Sequence, residues 1–137
     1  GRTNHFVEVK NCHLVYPDRR AYFPDTVSDR ASRHIRHLAE IVQRGERASV
    51  LFVVQRPDRI RSLRPSMLHD PAFADACRDA AAEGVRFHAL QVRPTLEAYE
   101  IMRSLPVDLR EYDAEKQQPW REDGLTRAGW RRSKKRK

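Results

Sequence analysis

Glycine and cysteine are scarce in this chain of 137 residues, five of the first and two of the second. No glycine contributes to a G-x-x-x-x-G-K-[ST] phosphate loop, a G-x-G-x-x-G dinucleotide turn or a G-x-S-x-G nucleophile elbow. ATP, NAD and acyl-transfer chemistry are therefore unsupported. Cys12 and Cys77 are far apart and form no C-x-x-C pair, which argues against a zinc site and gives no disulfide framework. Each reads as a small buried hydrophobe, in a reducing, cytoplasmic setting. No His-x-Glu-x-x-His arrangement joins the histidines into a zinc set. No apolar run approaches the roughly 18 residues that a membrane span needs, and no signal peptide is visible. Internal repeats are absent.

Charge, by contrast, is abundant. Charged residues make up 34% and apolar residues 39%, with a mean hydropathy of -0.79. The length suits one domain with a modest core. Arginine far exceeds lysine, and the formal net charge is +8. Residues 110–137 hold ten Lys/Arg against five Asp/Glu, a net +5, which leaves +3 for residues 1–109. A basic excess favours polyanions such as nucleic acid. The expected organisation is a domain over 1–109 and a basic, disordered tail over 110–137, or a short appended helix within it. Residues 131–137 carry six basic side chains in seven, a nonspecific grip for phosphates or a plain solvated terminus.

Residues 5–15 alternate well enough to form a strand, and the turn residues Pro17 and Asp18 lead into Ala21-Tyr22-Phe23, so the segment reads as a hairpin. Ser28 is a helix cap, followed by an apolar stripe of Ile35, Leu38, Ile41 and Val42, with Gly45 as the stop. The run Val50-Leu51-Phe52-Val53-Val54 suits a strand buried on both faces. A basic loop spans 56–65. Asp70 and Pro71 start a second helix, lined by Phe73, Ala76, Cys77, Ala80 and Ala81, which Gly84 closes. A strand over 85–92 and one or two more between Leu96 and Val107 follow. Strands alternating with helices predict an α/β fold with a mixed β-sheet flanked by helices.

The chemistry centres on Val7-Glu8-Val9-Lys10. Side chains two apart on a strand share a face, so Glu8 and Lys10 flank one small volume while Val7 and Val9 are expected to be buried on the other. A carboxylate suits a hard divalent ion such as Mg²⁺, and a lysine can orient water or steady phosphate charge. This is the E-x-K half of a PD-(D/E)xK nuclease site; alone it is a weak signal, far more often a plain solvated Glu and Lys on a strand. The expected hairpin returns the chain at Phe23-Pro24-Asp25, which places Asp25 beside Glu8 and Lys10. Glu8 and Asp25 are then the candidate metal ligands, for a reaction in which metal lowers the pKa of a bound water. Arg30, Arg33 and His34 share a helix face next to these carboxylates, at helical spacing. Arg56, Arg59, Arg61 and Arg64 make the next loop basic without an interleaved aromatic, which favours phosphate contact over base reading. Each set also reads as a solvated charged surface.

Five blocks occur in order: Phe6-Val7-Glu8-Val9-Lys10-Asn11-Cys12, Phe23-Pro24-Asp25-Thr26-Val27-Ser28-Asp29-Arg30, His34-Ile35-Arg36-His37-Leu38, Phe52-Val53-Val54-Gln55-Arg56-Pro57-Asp58 and Leu105-Pro106-Val107. The series resembles the C-terminal domain of the sugar fermentation stimulation protein (SfsA) family. The resemblance implies a restriction-endonuclease-like fold of PD-(D/E)xK type. It also implies a DNA-binding protein linked to sugar (maltose) metabolism, and matches Arg30, His34 and Gln55 to recurring family positions. Gln55, at a strand end, suits a contact to substrate or to the site lysine, and reads otherwise as an amide that braces the loop. The family pattern carries an acidic residue on the strand before E-x-K and an OB-like domain further upstream. Residues 1–7 contain no carboxylate, and a chain opening on Gly1 reads as a fragment with its N-terminal part missing.

Three readings follow. The first is a DNA-binding domain with an incomplete Mg²⁺ nuclease site, in which Glu8, Lys10, Asp25 and Gln55 are the residues of the chemistry. The second is a metal-dependent nuclease completed by a longer chain or a partner. The third is a noncatalytic regulatory module that uses the pocket for DNA or a small ligand. DNA bound nonspecifically through phosphates is the expected partner.

Overall fold

A computed structural model describes residues 3–127, with side chains through Asp123. The basic run at 131–137 lies outside the described residues. Strand β1 (His5–Cys12) is followed by a short hairpin, β2 (Leu14–Val15) and β3 (Arg20–Phe23), then helix α1 (Asp29–Gln43) and strand β4 (Arg47–Val54). Strand β5 (Ser62–Pro65), helix α2 (Pro71–Glu83), β6 (Arg86–Pro94) and β7 (Tyr99–Leu105) complete the body. A 3₁₀ turn over Ala114–Gln117 leads into helix α3 (Gln118–Arg127).

The helices begin where their caps dictate. Ser28 accepts a hydrogen bond from the Ala31 amide at 3.1 Å, and Asp70 does the same for Phe73 at 3.1 Å. Asp70, almost fully buried, also accepts from the Ser28 amide at 2.9 Å, so one carboxylate ties the starts of both helices together. Gly84 takes the left-handed conformation that closes α2, and a Cβ there would meet Val42 at 3.2 Å.

Two sheets result. The larger has strand order β1-β4-β6-β7, with β1, β4 and β6 mutually parallel and β7 antiparallel. The smaller is β2-β3-β5, extended by a bridge from Leu63 to Val107. This is the expected α/β architecture with a mixed sheet. Helices α1 and α2 pack on each other against one face of the larger sheet, the placement that two successive crossovers of one hand produce. Val50, Phe52 and Val54 of β4 meet Ile35, Leu38 and Ile41 of α1 and Phe73, Ala76 and Cys77 of α2 in one dry core.

Several local expectations need correction. Val7 and Val9 are not buried: each is 53% exposed. Their face of β1 is opposite to the helices and meets no layer among the described residues, whereas Glu8 and Lys10 lie on the helix side. For the same reason Leu51 and Val53 of β4 are only partly covered. The strand does not continue to Val15; β1 ends at Cys12 and pairs with β4, while Leu14 and Val15 pair with Tyr22 and Ala21. The stretch 56–65 is not all loop, because Ser62–Pro65 pairs in parallel with β3. Four residues, two of them Ser and Pro, carry no strand period of their own; the partner strand imposes the conformation.

Between Tyr112 and Trp120 the chain stays against the body. Tyr112 donates from its hydroxyl to the Pro65 carbonyl at 2.7 Å and accepts from the Met67 amide at 2.9 Å. Gln117 is 2% exposed, and Trp120 packs on Tyr16 with ring centroids 5.8 Å apart. Of the sequence readings for this stretch, residues 114–127 take the helical one.

Candidate functional site

Glu8 and Lys10 share the helix side of β1, as strand alternation requires, and α1 brings His34 to meet them. Glu8 Oε1 lies 3.2 Å from Lys10 Nζ and 3.2 Å from His34 Nδ1, while Lys10 Nζ lies 3.1 Å from His34 Nδ1. The lysine side chain is only 11% exposed, the carboxylate and the imidazole about a third. Nδ1 cannot accept from Lys10 and donate to Glu8 at once, so the tautomer selects between two hydrogen bonds. A bare Nδ1 leaves the lysine bridging carboxylate and imidazole; an Nδ1–H turns the imidazole onto Glu8. The triad therefore sets a carboxylate, a mostly buried lysine amine and an imidazole within one hydrogen-bonding radius.

Asp25 does not join this cluster. It is exposed and forms no ion pair with Lys10 among the described residues; its charge acts instead on Cys12, Tyr16 and His69. The hairpin that was to carry it back belongs to β2 and β3, which pair with each other and with β5 rather than laying Asp25 over the middle of β1. Gln55 meets neither Lys10 nor Glu8. Its Nε2 donates to Asn11 Oδ1 at 3.0 Å and its amide to the Cys12 carbonyl at 3.0 Å, bracing the ends of β1 and β4. His34 was grouped with the phosphate-contacting arginines; its contacts put it in the Glu8–Lys10 cluster. A signal was present in the helical spacing, which sets His34 one turn beyond Arg30 on the face next to β1.

The fit to a divalent ion is partial. Glu8 is an oxygen ligand of the right kind. Its Oε1, however, already faces two nitrogen partners, and no group of three or more His, Cys, Asp or Glu side chains placed to share a metal occurs among the described residues.

The arginines fall into two groups. Arg64 is not on the surface that sequence placed it on. Its Nε donates to the Tyr22 hydroxyl at 3.0 Å, its guanidinium stands 3.5 Å from Asp18, and it lies over the Tyr112 ring at 3.6 Å from the centroid. Arg56 is held by both oxygens of Asp58, at 2.7 and 2.8 Å, and by the His13 carbonyl at 3.1 Å. The same pair holds the Asp58 carboxyl below its ordinary range. Arg30, Arg33, Arg59 and Arg61 are exposed and form no ion pair among the described residues.

Around Arg64 the tyrosines make a polar corner that sequence reading overlooked. The Tyr22 hydroxyl donates to Asp18 and accepts from Arg64 and from Gln117 Nε2, the latter at 2.7 Å. Burial and the Asp18 carboxylate push the Tyr22 phenol well up. Tyr16, raised to about 12 chiefly by burial, shares a hydrogen bond of 2.7 Å with His69 Nε2, and burial holds the His69 pKa below its usual value.

A mixed sheet with parallel β1, β4 and β6, crossover helices, and Glu and Lys side by side on the edge strand define a restriction-endonuclease-like domain. The chain belongs to the sugar fermentation stimulation protein family: residues 1–98 match the family's model, described as the sugar fermentation stimulation protein RE domain. It is 43% identical over 106 residues to the sugar fermentation stimulation protein homolog of Halorhodospira halophila, which covers 77% of this chain and 44% of that protein. With the homolog from Jannaschia sp. it shares 46% over 112 residues, 79% of this chain and 44% of the relative. The chain thus spans less than half the length of these curated relatives. A solved structure of Pyrococcus furiosus SfsA in complex with Ca²⁺ superposes with a TM-score of 0.70 at 30% identity, over 76% of this chain and 45% of that one.

Proposed function

We propose that this chain is a DNA-binding domain that holds the duplex by its phosphates and presents the Glu8–Lys10–His34 cluster to the backbone. The observation that carries this reading is the position of Arg30 and Arg33, exposed and without ion-pair partners, on the helix that supplies His34. A backbone drawn to those two guanidinium groups passes beside Lys10. Arg59 and Arg61 extend the basic surface. With about five phosphates neutralised, the logarithm of affinity falls with that of salt at a slope of about -4.5. Titrating labelled duplex at several salt concentrations tests this; an affinity indifferent to salt sinks it.

The same reading assigns little cleavage to the chain alone. A divalent ion such as Mg²⁺, when bound, supplies a water of lowered pKa, and Glu8 is the residue that would hold it, with Asp25 reaching in only if its loop moved. Mg²⁺ is usually held by one or two carboxylates together with waters and substrate phosphates; here Glu8 is the single carboxylate, and its Oε1 already faces Lys10 and His34. Plasmid incubated with Mg²⁺ or Mn²⁺ should stay intact; cleavage abolished by both Glu8→Ala and Lys10→Ala would mean that the site is already complete. The complex of the Pyrococcus furiosus relative with Ca²⁺ favours a second reading. There a further acidic ligand, from a longer chain or a partner, completes a nuclease. Through DNA binding the reading extends to regulation of sugar (maltose) metabolism genes. The buried Cys12, its thiol raised to about 12 by desolvation, suits a reducing compartment such as the cytoplasm. No helix among the described residues is long and apolar enough to cross a membrane.

A further inference from the structure

The arginine loop after β4 carries no aromatic of its own, yet the fold supplies one. A cavity of about 400 Å³ lies between the β2–β3 hairpin, this loop and α3. Tyr16 and Trp120 form its aromatic side, next to the apolar Leu14, Val15 and Pro17; its charged lining is Arg19, Arg56 and Arg59 with Asp58 and Asp123. The volume is in the range of small-ligand sites. It shares no lining residue with the Glu8–Lys10–His34 cluster.

The walls are held in place. Gln91, 1% exposed, donates to the carbonyls of Arg56 and Asp58 at 2.9 and 2.6 Å, which fixes the loop from below. The Arg61 amide donates to the Arg19 carbonyl at 2.7 Å and clamps the loop to the hairpin turn. Arg56 gives three of its five N–H donors to Asp58 and the His13 carbonyl, and its charge is matched by Asp58, so this pair is neutral wall rather than free charge. Arg19 and Arg59 are exposed and form no ion pair among the described residues. Arg19 takes a left-handed φ of 61° at the end of the turn, where glycine or asparagine is the usual occupant. Trp120 is half-buried, backed by the buried Tyr16 ring at 5.8 Å and 47°.

We propose that this cavity is a nucleotide subsite, taking one unpaired nucleotide of a DNA strand with its base against Trp120 and its phosphate between Arg19 and Arg59. An indole propped by a second, tilted ring suits a planar base, which needs no hydrogen-bond readout to stack. Two unpaired guanidinium groups suit a phosphate. A base inside a duplex cannot reach such a wall, so the site recognises single strands, frayed ends or flipped nucleotides. The inference rests on the DNA-binding reading above for the class of ligand and adds the preference for an exposed base.

The test compares three labelled probes on the 137-residue chain at one salt concentration: oligo-dT, an abasic oligonucleotide with the same number of phosphates, and a duplex. One stacked base makes dT bind about 5- to 160-fold more tightly than the abasic strand. Trp120→Leu brings that ratio to about one, Trp120→Phe keeps most of it, and circular dichroism verifies that both variants fold. Equal affinity of the native chain for dT and abasic strands overturns the proposal without any variant, as does a Trp120→Leu protein that folds and keeps the ratio. If the duplex still binds in either case, only the subsite falls; if no probe binds, the DNA-binding reading falls with it.

Discussion

The helix-covered sheet and the tyrosine corner are built on opposite principles. Under α1 and α2 the interior is apolar throughout, and the polar groups Glu8, Lys10 and His34 sit at its rim. In the corner the packing is itself polar: the buried Tyr22 and Gln117 bond to each other and to the partly exposed Asp18 and Arg64. An apolar core tolerates neighbours of many shapes, because dispersion and desolvation are non-directional. A hydrogen-bonded one needs each member, since a partner removed leaves another buried and unsatisfied. One polar atom of the corner, Gln117 Oε1, already has no hydrogen-bond partner among the described residues.

The contrast can be broken most forcefully in the apolar half. Phe52 is fully buried between the two helices and the sheet, touching Phe23 at 5.6 Å between centroids. Phe52→Ala should cost about 3–5 kcal/mol, read from urea unfolding; a loss under about 1 kcal/mol would mean that the core lies elsewhere.

A smaller effect sharpens the comparison inside one loop. Arg64→Ala removes a charged hydrogen bond from Tyr22 and the ion pair of Asp18, and should cost about 2–3 kcal/mol. Arg59→Ala, five residues earlier, should change stability by no more than about 0.5 kcal/mol but reduce the salt slope of DNA binding by about 0.9. Were the two substitutions to exchange these outcomes, the division into interior and surface arginines would be wrong.

The smallest effect is set by pH. His69 has its pKa lowered by burial and by the Arg121 charge. The unfolded chain then binds the proton more readily than the folded one, so this contribution is fully present above the ordinary value of 6.5 and is lost as pH falls from there toward the lowered folded value. Urea midpoints between pH 7.5 and 5 should drop more steeply for the native chain than for His69→Gln. Parallel curves would show that His69 titrates normally.

Local patterns revealed much of this. Helix α1 was legible from Ser28, the stripe through Ile35, Leu38 and Ile41, and Gly45; helix α2 from Asp70, Pro71 and Gly84. Both helices were expected where they occur, because capping and periodicity are properties of neighbours in sequence. The side-by-side placement of Glu8 and Lys10 was legible for the same reason. The burial of Val7 and Val9 was misread because alternation tells which residues share a face, never whether a layer covers that face. β5 was missed because its conformation comes from β3, 42 residues away in register.

By itself the sequence determined the α/β class, the helix limits, the E-x-K strand and the family. Those features rest on short-range rules and on patterns of residue identity. Only the tertiary structure decided that His34 rather than Asp25 completes the Glu8–Lys10 cluster, that Arg64 is interior while Arg59 is free, and that Trp120 stands beside the arginine loop. Each of these is a meeting of residues about 24 to 60 positions apart, and a contact of that span is set by how strands register and layers stack, which no local pattern encodes.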